Sequence, residues 1–98
     1  MNLPEDCTNI EEVRLAIDAI DREIITALGC RYAYVKTITR FKRTEEEIQA
    51  PERFAAVIHS RRAWAQQAGL APDVIEQMYR NLIAHFIDVE RAEINSRL

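Results

Sequence analysis

Arg31 and Lys42 stand where an apolar stripe asks for apolar side chains. The stripe runs Ile10, Val13, Ile17, Ile20, Ile24, Leu28, then Val35 and Ile38. Continued past Leu28, it demands groups near 31, 35, 38 and 42; Val35 and Ile38 comply and the two cations do not. Steps of 4, 3 and 4 keep these positions on one face of a helix. A charge held away from water is costly unless paired, so something anionic is due opposite them. Either a Glu or Asp from another helix supplies it, with the long stems free to snorkel, or a small anion binds there.

Arg14 narrows the chemistry. It lies 17 residues before Arg31, about 25 Å along a straight helix. One chain cannot grip a small molecule with both. In an antiparallel pair of subunits, the partner subunit's Arg14 approaches Arg31. Together with Lys42 the three cations form a trap for a small dianion. Arginine's planar fork suits carboxylates, and Lys supplies a movable point charge. Taken alone, Arg14 reads as a solvated residue near a helix start. Glu90, four beyond Phe86 and seven beyond Ile83, falls on the apolar side of its segment. It is either exposed near a helix end or enters the cationic pocket. There it ion-pairs with Lys42 or Arg14, or is protonated and donates a hydrogen bond.

Three helical segments must position these groups. "TNIE", Thr8 to Glu11, has the form of a capping box and opens the first helix, which the period carries from about residue 9 to about 42. Gly29 interrupts it without a turn partner, at a cost of about 1 kcal/mol against Ala. "KRTEEEIQAP" reads as a loop or frayed helix end. Pro51 starts the second helix, whose inward face is Phe54, Val57, Ile58, Arg61 and Trp64. "AGLAPD" closes it at Gly69 and opens a third helix at Pro72, packing through Ile75, Tyr79, Leu82, Ile83 and Phe86 towards residue 95. No strand pattern interrupts them, so the expected fold is all-α with three helices per chain.

Length then bears on assembly. A first helix of about 33 residues is about 50 Å long, whereas a globule of this size has a radius of gyration of about 13 Å. Two shorter helices cannot cover the whole stripe, so the expectation is an intertwined homodimer with first helices from two subunits lying together.

Composition excludes several classes. The chain has 98 residues, 48% hydrophobic and 30% charged, with a formal net charge of −3, which suits one small domain over residues 1–98. There is no basic footprint for nucleic acid and no charge block for a membrane surface. "MNLPEDC" lacks the basic and apolar regions of a signal peptide, and no apolar run approaches the roughly 20 residues of a membrane span. Cys7 and Cys30 stand apart and read as reduced thiols, so a cytoplasmic protein is expected. His59 and His85 lack partners at metal or triad spacing and are taken as structural. No metal and no cofactor is expected.

The run "PEDCTNIEEVRLAIDAIDREI", with "YVK", "RFK", "APER" and "WAQQAGL" after it, resembles the all-α chorismate mutase (type II) family. Within that family it is most similar to the isochorismate pyruvate lyases, over nearly the whole chain. The resemblance implies an intertwined homodimer with two sites, each sharing residues from both subunits. It implies that the partner subunit's Arg14 and Arg31 bind substrate carboxylates, and that Lys42 sits near the ether oxygen and a carboxylate. Val35, Ile38, Phe54, Val57 and Ile87 would line the pocket, Arg53 would support it, and Arg43 to Gln49 would form a lid. Lys42, Arg31 and Glu90 would be the catalytic set. Mutases commonly carry acids at the positions of Ala50 and Phe54, one of them for a ring hydroxyl; the apolar residues here follow the lyase pattern. Position 90 is Gln in the lyase pattern and Glu in this chain.

The implied reaction is elimination of pyruvate from isochorismate to give salicylate, of use in siderophore biosynthesis, with weak chorismate mutase activity beside it. Two other readings stand: a chorismate mutase making prephenate, or a non-catalytic helical dimerisation module in which the stripe cations are salt-bridge partners.

Overall fold

The computed structural model describes residues 3–97. Among them it is all-helical: α1 (Ile10–Ile38), α2 (Glu45–Gln49), α3 (Pro51–Gln67) and α4 (Pro72–Asn95), with 3-10 turns at Pro4–Asp6 and Thr39–Phe41. The three long helices expected from the period are α1, α3 and α4. Internal contacts divide the chain into two units, one up to Tyr34 and one from Val35 onward.

In the first unit, α1 is capped one residue later than the "TNIE" reading. Glu12 N–H donates to Asn9 Oδ1 at 2.9 Å, and the Glu12 carboxylate accepts from Thr8 N–H at 2.9 Å and Thr8 Oγ1 at 2.9 Å. Glu11, the anticipated partner of Thr8, instead pairs with Arg14. Asn9 takes the capping role because its side-chain oxygen accepts from an N–H as well as that of Thr does, while the returning carboxylate of Glu12 reaches one residue further back, to Thr8. Gly29 sits inside α1, where an added Cβ meets nothing within 4 Å. No residue of α1 is buried in the chain: Ile10, Ile17, Ile20 and Ile24 are between 45% and 60% exposed.

The helical period ends before Lys42. The Thr39–Phe41 turn follows α1, and Lys42 has extended backbone (φ −114°, ψ 133°) with its N–H on the Thr39 carbonyl. The expected helix to residue 42 is therefore four residues too long, and Lys42 is not on the α1 face that spacing assigned to it.

The second unit has its own core. Ile48, Val57, Ile58, Ala65, Phe86 and Ile94 are buried, with α3 packed against α4. Of the inward positions expected on α3, Val57 and Ile58 are buried, Phe54 and Arg61 half-buried, and Trp64 is 55% exposed. The Arg61 guanidinium stacks over Trp64 at 4.6 Å and Tyr79 at 5.6 Å. Gly69, at φ +78°, ends α3 as expected: Leu70 N–H reaches the Ala65 carbonyl at 2.8 Å and Gly69 N–H the Gln66 carbonyl at 3.1 Å. Arg62 then ties α3 to the start of α4, holding Asp73 and Glu76 at 2.7 Å each.

Between Lys42 and α3 the sequence reading missed an element. "KRTEEEIQAP" holds α2, started by a true capping box: Thr44 Oγ1 accepts from Glu47 N–H, and the Glu47 carboxylate accepts from Thr44 N–H. The T-x-x-E signal was present in the letters at 44–47. Ala50 links α2 to α3 in the left-handed region (φ 42°, ψ 60°), an arrangement costing a non-glycine residue about 1 kcal/mol.

Candidate functional site

Lys42 and Glu90 meet. The Lys42 ammonium lies 2.8 Å from Glu90 Oε1, with side chains only 15% and 7% exposed. A longer contact of 3.5 Å runs from Lys42 Nζ to the Ile48 carbonyl. The two residues are 48 apart in sequence. They meet because the extended backbone at Lys42 leaves the 3-10 turn towards α4, while Glu90 takes the buried face that Phe86 and Ile94 share at spacings of four. Thr39 anchors the turn. It is 3% exposed, its Oγ1 donates to the Lys36 carbonyl at 2.7 Å, and its carbonyl accepts from Arg97 Nη2 at 2.9 Å.

Two charges taken out of water in this way are a poor stability device, since desolvation offsets much of their attraction. An ammonium offers three donors. A carboxylate and one distant carbonyl leave it able to turn towards an added anion, and Glu90 is then the group that competes with that anion.

Other expected site residues of the second unit lie at varied depths. Val57 is buried, Val35, Phe54 and Ile87 are half-buried, and Ile38 is 44% exposed. Ile87 precedes Glu90 by three residues on α4, on the same side of the helix. The Arg80 guanidinium sits 5.2 Å over the Phe54 ring. Arg53 is exposed and borders an open depression of about 440 Å³ with Thr44, Glu46, Glu47 and Glu52. In the first unit, Arg14 is exposed and pairs with Glu11 at 3.0 Å, while Arg31 is half-buried. The pair formed between the segment after α1 and helix α4 is thus Lys42 with Glu90, one of the partnerships the sequence left open.

Sequence reasoning missed Arg91 and Glu45. Arg91 Nη2 contacts Glu45 Oε1 at 2.6 Å and Nε contacts Oε2 at 3.3 Å, with Asp88 on Nη1 at 2.9 Å. Hydrogen bonds from Arg91, then Gln49, hold the Glu45 carboxyl below its ordinary value of 4.5. No periodicity signals this contact, because it joins residues 46 apart.

Among the described residues, no group of three or more His, Cys, Asp or Glu has the arrangement to hold a metal ion, and no helix is long and apolar enough to cross a membrane.

Residues 13–91 match the chorismate mutase type II family, a span that includes Arg14, Arg31, Lys42 and Glu90. The chain is similar to an isochorismate pyruvate lyase of Pseudomonas aeruginosa, 45% identical over 87 residues that make up 89% of this chain and 86% of the relative. It is also similar to the T-protein of Haemophilus influenzae, 33% identical over 75 residues; these are 76% of this chain and 20% of that protein.

Proposed function

The chain belongs to the chorismate mutase type II family, and we propose that it is an isochorismate pyruvate lyase acting as a homodimer with shared sites. The observation that carries the reading is the sheltered Lys42 ammonium, in a chain 45% identical over most of its length to an isochorismate pyruvate lyase. The substrate is a small dianion, and residues 1–98 act as one helical domain once two copies are together.

Apolar area argues for the dimer. Fully burying an Ile is worth about 1.5–3 kcal/mol, so five stripe residues left roughly half in water forgo an amount that is a large share of a domain's stability. The stripe Ile10, Val13, Ile17, Ile20 and Ile24 repeats in threes and fours, the spacing of a two-helix seam. Pairing α1 with a second α1 covers it and brings the partner subunit's Arg14 towards Arg31.

In the reaction, the ether C–O bond of isochorismate breaks as a ring hydrogen moves to the enolpyruvyl methylene. Pyruvate leaves and the ring becomes aromatic salicylate, so atoms balance without base, metal or covalent intermediate. The partner subunit's Arg14 and Arg31 grip the two carboxylates and hold the enolpyruvyl arm over the ring. Lys42 stabilises charge growing on the ether oxygen. Glu90 holds Lys42 until substrate arrives and lowers the positive charge the dianion meets. Val35, Ile38, Val57 and Ile87 supply apolar walls, Phe54 occupies the place where a hydroxyl acceptor would favour chorismate, and Arg53 acts from behind the pocket.

The family name favours one rival, chorismate mutase, and weak mutase activity is expected beside the lyase. Incubation with isochorismate and separately with chorismate, following salicylate, pyruvate and prephenate, decides between them. Salicylate with equimolar pyruvate is expected as the dominant outcome. Prephenate as the faster product makes the chain a mutase, and no turnover of either returns it to a dimerisation module.

A further inference from the structure

Helix α4 and the turn that follows it hold the segment after α1 at three points: Arg97, just past the helix end, on the Thr39 carbonyl, and from the helix itself Glu90 on Lys42 and Arg91 on Glu45. The first two touch residues at or before Lys42. The third grips α2, beyond it. We propose that Arg91 is a positioning residue for Lys42: its fork on Glu45 seats α2, and α2 presents the Ile48 carbonyl that, with Glu90, aims the Lys42 ammonium.

Helix α2 has five residues and one buried side chain, Ile48. A helix this short has no stability of its own, since nucleation costs more than a single turn returns. The capping box organises its first turn, but Thr44 and Glu47 bond only within the segment. The chain then leaves through Ala50 in a strained left-handed conformation. Two attachments to α4 remain, the burial of Ile48 and the Arg91–Glu45 fork.

Lys42 reads the outcome directly. Its Nζ is 3.5 Å from the Ile48 carbonyl, at the limit of a hydrogen bond, so a small outward shift of α2 loses that contact. Glu90 and Arg91 are neighbours on α4 and point about 100° apart. One faces the buried pair and the other the rim, so a single turn of α4 sets both the partner of Lys42 and the seat of α2. Asp88 fixes the guanidinium from its other side. The Arg91 guanidinium is engaged by Glu45 and Asp88, and its effect on catalysis rests on the role proposed for Lys42.

The chain's two lysines, Lys36 and Lys42, permit a test independent of any reaction. Lys36 is exposed and serves as the internal reference. The full-length protein is treated with limiting acetic anhydride, and labelling of each lysine is read by peptide mass spectrometry. Arg91→Ala and the milder Glu45→Gln are expected to raise the Lys42-to-Lys36 labelling ratio about fivefold, the scale of one partly exposed ion pair. Arg91→Lys is expected to restore most of the protection. An unchanged ratio in both loosening variants overturns the proposal whatever the protein catalyses.

The kinetic arm uses isochorismate. Arg91→Ala is expected to lower kcat about tenfold with KM within about threefold, as for a misplaced transition-state group. In a Lys42→Gln background the same change is expected to do nothing further; a full tenfold loss there would show that Arg91 acts without Lys42 and overturn the proposal. A shifted labelling ratio in a protein that does not turn over isochorismate would leave the positioning role standing and refute the lyase reading instead.

Discussion

The two units solve the problem of burying apolar surface in opposite ways. Up to Tyr34 the chain offers a long helix whose apolar stripe faces water within the chain, with Leu15 69% and Ile25 67% exposed beside it. From Val35 onward, helices α2, α3 and α4 cover one another, and even a Lys and a Glu are taken into the packed region. The second unit has a buried core of its own, although Trp64, Val74 and Met78 stay more than half exposed. The first has a surface suited to another helix, which is why the dimer and the shared site belong together in the proposed function.

That contrast is broken most severely at the stripe. Ile20→Asp is expected to leave a monomer in size-exclusion chromatography with light scattering and to abolish turnover, while α3 and α4 keep their amide protection in hydrogen exchange. An active monomer would end the shared-site reading.

Within the second unit, Lys42→Ala is expected to lower kcat/KM about 10²–10³-fold with the dimer retained, the scale of losing one transition-state charge partner. Turnover within twofold of the parent would remove Lys42 from the chemistry. Glu90→Gln removes the competing charge and is expected to raise kcat/KM at neutral pH several-fold. An identical rate would place Glu90 outside the site.

Smaller effects test the local devices. Ala50→Gly relieves the left-handed backbone at the α2–α3 junction and is expected to add about 0.5–1 kcal/mol, raising Tm by a few degrees. A lower Tm would show that the junction is not strained. Acid acts more on the second unit. Glu76 is held below 4.5 by hydrogen bonds from Arg80, then Arg62, and Glu45 and Glu47 are also lowered; in the first unit Glu12 is, through Thr8. A carboxyl whose folded value is depressed contributes stability that is present above about 4.5 and lost as pH falls through the folded value. The Tm is therefore expected to fall below that pH, and less steeply in Glu76→Gln.

What was legible in the sequence was local. Threes and fours gave α1, α3 and α4, while Pro51, Gly69 and Pro72 marked ends because proline and glycine restrict or free the backbone wherever they stand. Arg31 and Lys42 were conspicuous because they broke an apolar period, and Glu90 because it sat on the apolar side of α4. The same local logic overran at Thr39–Phe41, where a tighter turn ends the helix without a proline or glycine to announce it, and it passed over the capping box at Thr44.

The tertiary structure decided which charges meet. Lys42 with Glu90 and Arg91 with Glu45 each join residues more than 40 positions apart. A side chain's period tells which face of its own helix it occupies, not what stands opposite. Only packing α4 against the segment that follows α1 selects Glu90 for Lys42, and only that packing sets Arg91 one residue further round, over α2.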